Sequence, residues 1–314
     1  MKEGDKMEKE ILIFGHKNPD TDTICSSMVK EILNTKNGKN NSKAVRLGPV
    51  NKETQFVLDY LGIEAPELIE KVKEGQKVIM VDHNEFSQSV DGIENAQIIG
   101  VVDHHKIGNF QTSEPLFFTC RPYGCTSTIL YLDFLEKGIE IEKTEAILML
   151  SAIISDTLLK KSPTTTKKDI KALDELAKIA GIDIETYGLD LLKAGTDLGD
   201  LSEKQLINLD AKELVKNGTK FIIAQINAID INEILKRKDA IEREIEKEIK
   251  EKELQFFVLA ITDILNSNSE VIVLGEKSSI VEKAFNKTLK DNQMFLEGVV
   301  SRKKQLLPVI DKAI

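Results

Sequence analysis

Three short apolar runs, "ILIF", "KVIMV" and "IIGVV", each end on a polar cluster rich in aspartate and histidine. This pattern narrows the possible folds more than any other feature of the chain. The runs are too short for helices and too continuous for strands with one wet face, so they read as strands covered on both sides. A fourth strand, "AVRLG", lies among them, and the segments "CSSMVKEIL" and "KETQFVLDYLG" between them have helical spacing. Alternation of strand and helix predicts an α/β domain with a mostly parallel sheet. In an open sheet of that kind, ligands sit just outside the carboxyl ends of the strands. The clusters "GHKNPDTD", "DHNE" and "DHHK" should therefore converge on one spot.

Further along, "TEAILMLSAIISDTLL" is almost wholly apolar and reads as a buried helix ending near Ser155. "KKSPTTTKKD", with Pro163, reads as a loop followed by a helix cap. The glycine- and acid-containing stretch around Thr186 to Leu201 is the expected junction between domains. A chain of 314 residues is comfortable as two domains, divided here as 1–188, a linker over 189–200, and 201–314. Beyond the junction, "KFIIAQINAID", "LQFFVLAITDIL" and "SEVIVLG" read as strands and "SIVEKAFN" as a helix. The charged tract 231–253 reads as one long amphipathic helix, with Ile231, Ile234, Leu235, Ile241, Ile245 and Ile249 on or near one face.

The strand-end clusters supply His16, Asp20, Asp22, Asp82 and His104, and the end of the apolar helix adds Asp156. Any one of these has an ordinary explanation: an aspartate at a strand end commonly caps the next helix, and either Asp20 or Asp22 could cap a helix starting near Thr23. Together they make two imidazoles and four carboxylates, enough for two divalent ions if a carboxylate bridges. Such a mixed set suits Mn, Fe, Co or Zn better than Mg or Ca. Two ions roughly 3.5–4 Å apart can activate water and polarise a phosphoryl group together. All four histidines fall between His16 and His105, so one region owns this chemistry. Far away in the chain, "GVVSRKKQLLP" gathers Arg302, Lys303 and Lys304, and "LDAKEL" presents Lys212. Basic clusters are usually solvated surface, but a phosphoryl enzyme needs such cations.

A net charge of −9 and 5% aromatic residues argue against a nucleic-acid partner. No apolar run approaches the roughly 18–20 residues that cross a bilayer, and "MKEGDKMEKE" lacks the apolar core of a leader. The three cysteines, Cys25, Cys120 and Cys125, lack metal-type spacing and read as reduced structural thiols. The expected location is the cytoplasm, without a membrane partner.

The triplet Asp103-His104-His105 resembles the signature of the DHH phosphoesterase superfamily. More closely, "GHKNPDTDTICS", "VDHNE", "VVDHHKIGNF", "SDT" and "SRKKQLLP", in this order, resemble the family II, manganese-dependent inorganic pyrophosphatases. The resemblance runs from Ile11 to about Pro308. It implies an N-terminal DHH domain with a mostly parallel sheet, a smaller α/β domain of DHHA2 type, and an active site in the cleft between them. It implies hydrolysis of pyrophosphate by a hydroxide held between two Mn²⁺ ions, with Co²⁺ a possible substitute and Mg²⁺ arriving with the substrate. His16, Asp20 and Asp82 would hold one metal and Asp22, Asp82 and His104 the other, with Asp156 contributing and Asp82 bridging. His105, Lys212, Arg302 and Lys303 would bind phosphate, and His105 could protonate the leaving group. Asp103, His83 and Asn109 would form a supporting layer around the imidazoles. Only residues 86–102 separate "VDHNE" from "DHH", too few for a regulatory insertion. A homodimer is also implied. The rivals are an exopolyphosphatase or another DHH-type phosphodiesterase; the glycine-rich, histidine-bearing motif of the latter is missing, since no histidine follows His105.

Overall fold

The first apolar run forms β1 (Ile11–Phe14), at the heart of a six-stranded sheet, in a computed structural model that describes residues 10–196 and 198–314. The charged N-terminal decapeptide read above as lacking a leader lies, apart from Glu10, outside the described residues. From β1 the chain passes through α1 (Thr21–Lys36), β2 (Ser42–Arg46) and α2 (Lys52–Leu61) to the short β3 (Glu67–Leu68). It then crosses to the other side of β1 and adds β4 (Lys77–Val81), β5 (Gln97–Asp103) and β6 (Phe117–Cys120). The order is β3-β2-β1-β4-β5-β6 and every pairing is parallel. Phe14, Val78, Met80 and Val101 are buried in one apolar cluster, which accounts for the unbroken runs. Strand order reverses between β1 and β4, and the chain emerging from those two strands carries His16 and Asp82.

Helices α3 (Thr126–Lys137), α4 (Lys143–Thr157), α5 (Lys167–Ala180) and α6 (Ile184–Gly195) complete this part of the chain. α4 packs against α1, α3, α5 and α6, and a helix covered on all sides needs no polar stripe. It runs to Thr157, and Leu158, Leu159 and Lys160 then take φ of 47°, 52° and 68°, a left-handed region that bulky residues rarely occupy. Leu159 is buried against α6 at Gly188, where a Cβ would stand 2.4 Å from Leu159 Cδ2. That contact explains a glycine inside a helix. The stretch expected as linker from residue 189 is therefore helical up to Gly195, because Leu191 and Leu192 are buried and anchor it. The chain separates into two compact units between Gly195 and Thr196.

The C-terminal unit comprises α7 (Glu203–Leu206), β7 (Ala211–Lys216), β8 (Thr219–Ala228), α8 (Ile231–Leu235), α9 (Lys238–Lys252), β9 (Phe256–Asp263), β10 (Asn268–Leu274), α10 (Ser279–Phe285), β11 (Gln293–Glu297) and α11 (Leu307–Ala313). Its five strands are ordered β11-β10-β9-β8-β7. Only β8 and β9 pair in parallel, and that pair requires a crossover. The charged tract provides it, as two helices rather than the single one expected. The break falls at Lys236–Arg237, where the Arg237 guanidinium donates to the Leu201 carbonyl (2.5 Å) and to Glu203 (2.8 and 3.1 Å). Ile234, Ile241 and Ile245 still lie along one apolar face, packed with Ile222, Phe257 and Leu259. Phe221, Ile223, Phe256 and Val258 face the other way, against Val281 and Ile310. Both faces of this sheet are thus covered.

Gly15 links β1 to the site. A Cβ there would lie 2.4 Å from Thr23 Cγ2 and 2.9 Å from Thr23 Cβ, atoms fixed to the first turn of α1. Gly15→Ala should force α1 away from β1 and cost about 1–3 kcal/mol, as overpacking commonly does; denaturant titration of the metal-free protein measures it.

Candidate metal centre

The site is assembled from the ends of β1, β4 and β5 and from the ends of three helices. The loop after β1 presents His16 and then Asp20, which is the N-cap of α1: Asp20 Oδ1 accepts from the Thr23 amide at 2.9 Å. Its other oxygen faces His16 Nε2 at 3.4 Å. Capping and facing the imidazole are therefore done by one carboxylate.

Asp82, at the end of β4, has a φ of 58°, a conformation that aspartate tolerates better than most residues but that still carries strain. Its Oδ2 lies 3.4 Å from His16 Nε2, and its Oδ1 lies 3.3 Å from His104 Nε2. One carboxylate thus faces two imidazoles on opposite sides. Thr23 Oγ1 donates to Oδ2 (2.7 Å) and Thr126 Oγ1 to Oδ1 (3.2 Å), which sets its rotation.

Asp22 is fully buried yet well satisfied. It accepts from the Thr126 amide (2.7 Å), the Ser127 amide (3.2 Å) and Ser26 Oγ (2.6 Å). The first two are free N–H groups of the first turn of α3, where a carboxylate is favoured by geometry and by the helix dipole. Asp156, in the last turn of α4, points Oδ2 to within 3.7 Å of His104 Nε2, and that buried oxygen has no hydrogen-bond partner. An unpartnered carboxylate oxygen is costly unless a cation satisfies it. Three ligand groupings, each within 4.8 Å, follow: His16–Asp20–Asp82, Asp82–His104–His105 and Asp22–Cys125–Asp156. Four carboxylates and two imidazoles converging in this way fit a pair of divalent ions of the Mn type.

The supporting contacts differ in part from expectation. His104 Nδ1 donates to the Tyr123 carbonyl at 3.1 Å, leaving Nε2 for the centre. His105 Nδ1 donates to buried Asp103 at 3.0 Å, so Asp103 orients that imidazole. Asn84, not Asn109, is hydrogen-bonded to Asp103, at 2.6 Å; the same amide also bonds the Lys106 carbonyl and the Gly108 amide. Asn109 instead is an exposed turn residue with a φ of 45°. His83 Nδ1 donates to the Val81 carbonyl at 2.9 Å, and burial holds its pKa down, so it stays neutral. A cavity of about 160 Å³ opens between His16, Asp82, His83 and His105. Thr23, Thr126 and Cys125 were not legible as site residues, since hydroxyls and a lone thiol carry no spacing signal. "GCTS" immediately before a helical run was the available hint.

In the C-terminal unit, Lys212 lies on edge strand β7 and is exposed, as is Lys303. Arg302 forms a two-pronged pair with Asp210 (2.6 and 3.1 Å), two positions before Lys212. Arg302 and Lys212 are thereby brought to the same end of β7.

Among known proteins, residues 10–153 match the N-terminal domain of the DHH family and residues 189–313 match the DHHA2 domain. A Bacillus subtilis protein named manganese-dependent inorganic pyrophosphatase is 52% identical over 309 residues, 98% of this chain and 99% of its own. An Oceanobacillus iheyensis protein named "Probable manganese-dependent inorganic pyrophosphatase" is 55% identical over 95% of this chain and 97% of its own. A crystal structure described as that of a "Methanococcus jannaschii putative family II inorganic pyrophosphatase" superposes with a TM-score of 0.63 at 41% identity, covering 96% of this chain and 99% of that one.

Without metal, the centre holds protons instead. Burial opposes charge on His16, but Asp20 and Asp82 outweigh it and raise its pKa to about 10. His104 is raised to about 9 against the same opposition, chiefly by Asp82 and Asp22. Burial and the charge of Asp82 push Asp22 up to about 6, and burial and Asp22 push Asp156 well above its ordinary range. For each group the folded pKa exceeds the unfolded one, so its contribution to stability is present at low pH and is lost as pH rises through these values. Mn²⁺ must displace the protons, so its affinity should climb between about pH 6 and pH 10 with at least one proton released at pH 7. Titration calorimetry in buffers of different ionisation enthalpy measures that release, and an affinity flat with pH would contradict it.

Proposed function

We propose that this chain, which belongs to the manganese-dependent inorganic pyrophosphatases of the DHH family, hydrolyses pyrophosphate to two orthophosphates at the centre around Asp82. The observation that carries the reading is Asp82 itself, one carboxylate with an imidazole opposite each oxygen at 3.3–3.4 Å. His16, Asp20 and Asp82 would hold one Mn²⁺ and Asp22, Asp82 and His104 the second, with Asp156 contributing to the pair. When bound, the pair lowers the pKa of water to make a nucleophile and offsets negative charge on the phosphoryl oxygens. Co²⁺ is the proposed substitute, with Mg²⁺ accompanying the substrate.

The chain's own residues do the rest. His105 is half-exposed, with Asp103 on Nδ1, so its Nε2 is the ring atom available to the leaving phosphate. Asp103 raises the His105 pKa, which favours the protonated form a proton donor needs. In the proposed division, the unit that ends at Gly195 carries the metals, and the unit that begins at Thr196 carries the phosphate-binding cations Lys212, Arg302 and Lys303. Asp210 holds the Arg302 fork in a planar, two-bond geometry suited to exchange for phosphate oxygens. A second copy of the chain is the proposed partner, through β6, an edge strand with Phe117 84% exposed. No nucleic-acid partner is proposed, given the net charge of −9. Three free cysteines, two of them buried, favour the cytoplasm; no helix among the described residues is long and apolar enough to cross a membrane.

Phosphate release from pyrophosphate by the Mn²⁺-loaded protein, with Mg²⁺ present, tests the assignment. Tripolyphosphate and a dinucleotide serve as comparisons, and preference for either would overturn it. Asp82→Asn should abolish turnover and the binding of at least one Mn²⁺. Arg302→Ala should lower kcat/KM by about 10²–10³-fold, the usual cost of losing one charge-stabilising donor, with Mn²⁺ stoichiometry unchanged.

A further inference from the structure

Glu53 lies in the first turn of α2, which supplies none of the candidate ligands. The turn is fixed by its N-cap, Asn51, whose side chain accepts from the Thr54 amide at 2.7 Å. Glu53 Oε1 accepts two hydroxyl hydrogen bonds, from Thr21 Oγ1 at 2.6 Å and from Ser155 Oγ. Thr21 is fully buried between Asp20 and Asp22 in the chain, and it also meets Thr54 Oγ1 at 3.2 Å. Ser155 immediately precedes Asp156. One oxygen therefore joins the α1 turn that carries two proposed ligands to the α4 turn that carries another.

The second oxygen of Glu53 faces α6. A Cβ on Gly195 would stand 2.7 Å from Glu53 Oε2 and 2.9 Å from Glu53 Cβ. Gly195 is the last residue of α6 and the last before the C-terminal unit. Only a residue without a side chain permits that approach. Burial raises the Glu53 pKa, and the two hydroxyl bonds counter it in part. A group needed only to fill space between α1, α2 and α4 would be apolar.

We propose that Glu53 is a positioning residue: it ties the Asp20–Asp22 turn to the Asp156 turn, so setting the spacing of the two ions, and the end of α6 bears on that tie through Gly195. The inference rests on the two-Mn²⁺ reading above. Glu53 touches neither ion. It acts through Thr21 and Ser155, and its loss alters the relation between the two sites more than either site alone.

The test uses Mn²⁺ and the full chain. Equilibrium dialysis gives the stoichiometry and the two affinities, and electron paramagnetic resonance reports the exchange coupling between paired ions. Glu53→Leu, which removes both acceptors at similar size, should weaken the second Mn²⁺ by roughly 10–100-fold, the range for lost outer contacts of metal sites, and should diminish the coupled signal. Glu53→Gln keeps an acceptor oxygen and should recover most of both. Gly195→Ala should shift the coupled signal in the same direction as Glu53→Leu without touching a ligand. If Glu53→Leu does not fold, Ser155→Ala removes one of the two bonds and should reproduce the weaker second site. A variant set with wild-type affinities and coupling overturns the tie, as does a Glu53→Gln no better than Glu53→Leu. A wild-type protein that binds fewer than two ions overturns the pyrophosphatase reading and the tie with it, so the two failures are distinguishable.

Discussion

Everything in the N-terminal unit is arranged around a buried carboxylate that must stay ionised. Asp82 is 1% exposed, and burial alone would drive it to its neutral form. His104 and His16 hold it far below the ordinary carboxylate range instead. This is possible because Asp82 stands where strand order reverses, so side chains from β1 on one side and β5 on the other reach it together. At the end of any outer strand it would have had one neighbour at most. Its left-handed backbone is part of the same arrangement, turning the carboxylate across the strand ends.

The other acids of the centre are made tolerable by separate means. Asp22 rests on the free amides of α3, and Asp20 both caps α1 and faces His16. The α3 terminus is placed in turn by Asp169, whose buried carboxylate bonds the Gly124 amide and Thr128 while capping α5 through Thr166. Asp156 alone keeps a buried oxygen without a hydrogen bond, and it is followed within four residues by three left-handed positions. The left-handed backbone of Asp82 and of the residues after Asp156, and the unpartnered Asp156 oxygen, are opposed by the packing of α4 against α1, α3, α5 and α6. Such an incomplete carboxylate is what a divalent cation would satisfy.

Much of this was legible from residue pattern. Doubly buried parallel strands leave unbroken apolar runs, and the aspartates and histidines that follow β1, β4 and β5 could be read directly as candidate site material. Less legible was the layer that aims those residues. Asn84 and Asn109 are alike in the sequence, both polar neighbours of the histidines, and only the turn after β4 brings one of them to Asp103. The break between α8 and α9 escaped notice because the apolar stripe continues through it; the Arg237 contacts with Leu201 and Glu203 that accompany the break come from the start of the unit. In the same way Gly188 and Gly195 looked like linker material, while their role is to let Leu159 and Glu53 approach a helix closely.

By itself the sequence determined the fold class and the gathering of acids and imidazoles at the strand ends, because those follow from local periodicity and from chemistry that few residue types can perform. Tertiary structure alone decided which oxygen faces which imidazole, that α3 and α4 would converge on Asp22 and Asp156, and that an acid from α2 would join two turns far apart in the chain. Contacts of that kind depend on angles and distances between elements, and nothing in the spacing of residues along one chain encodes them.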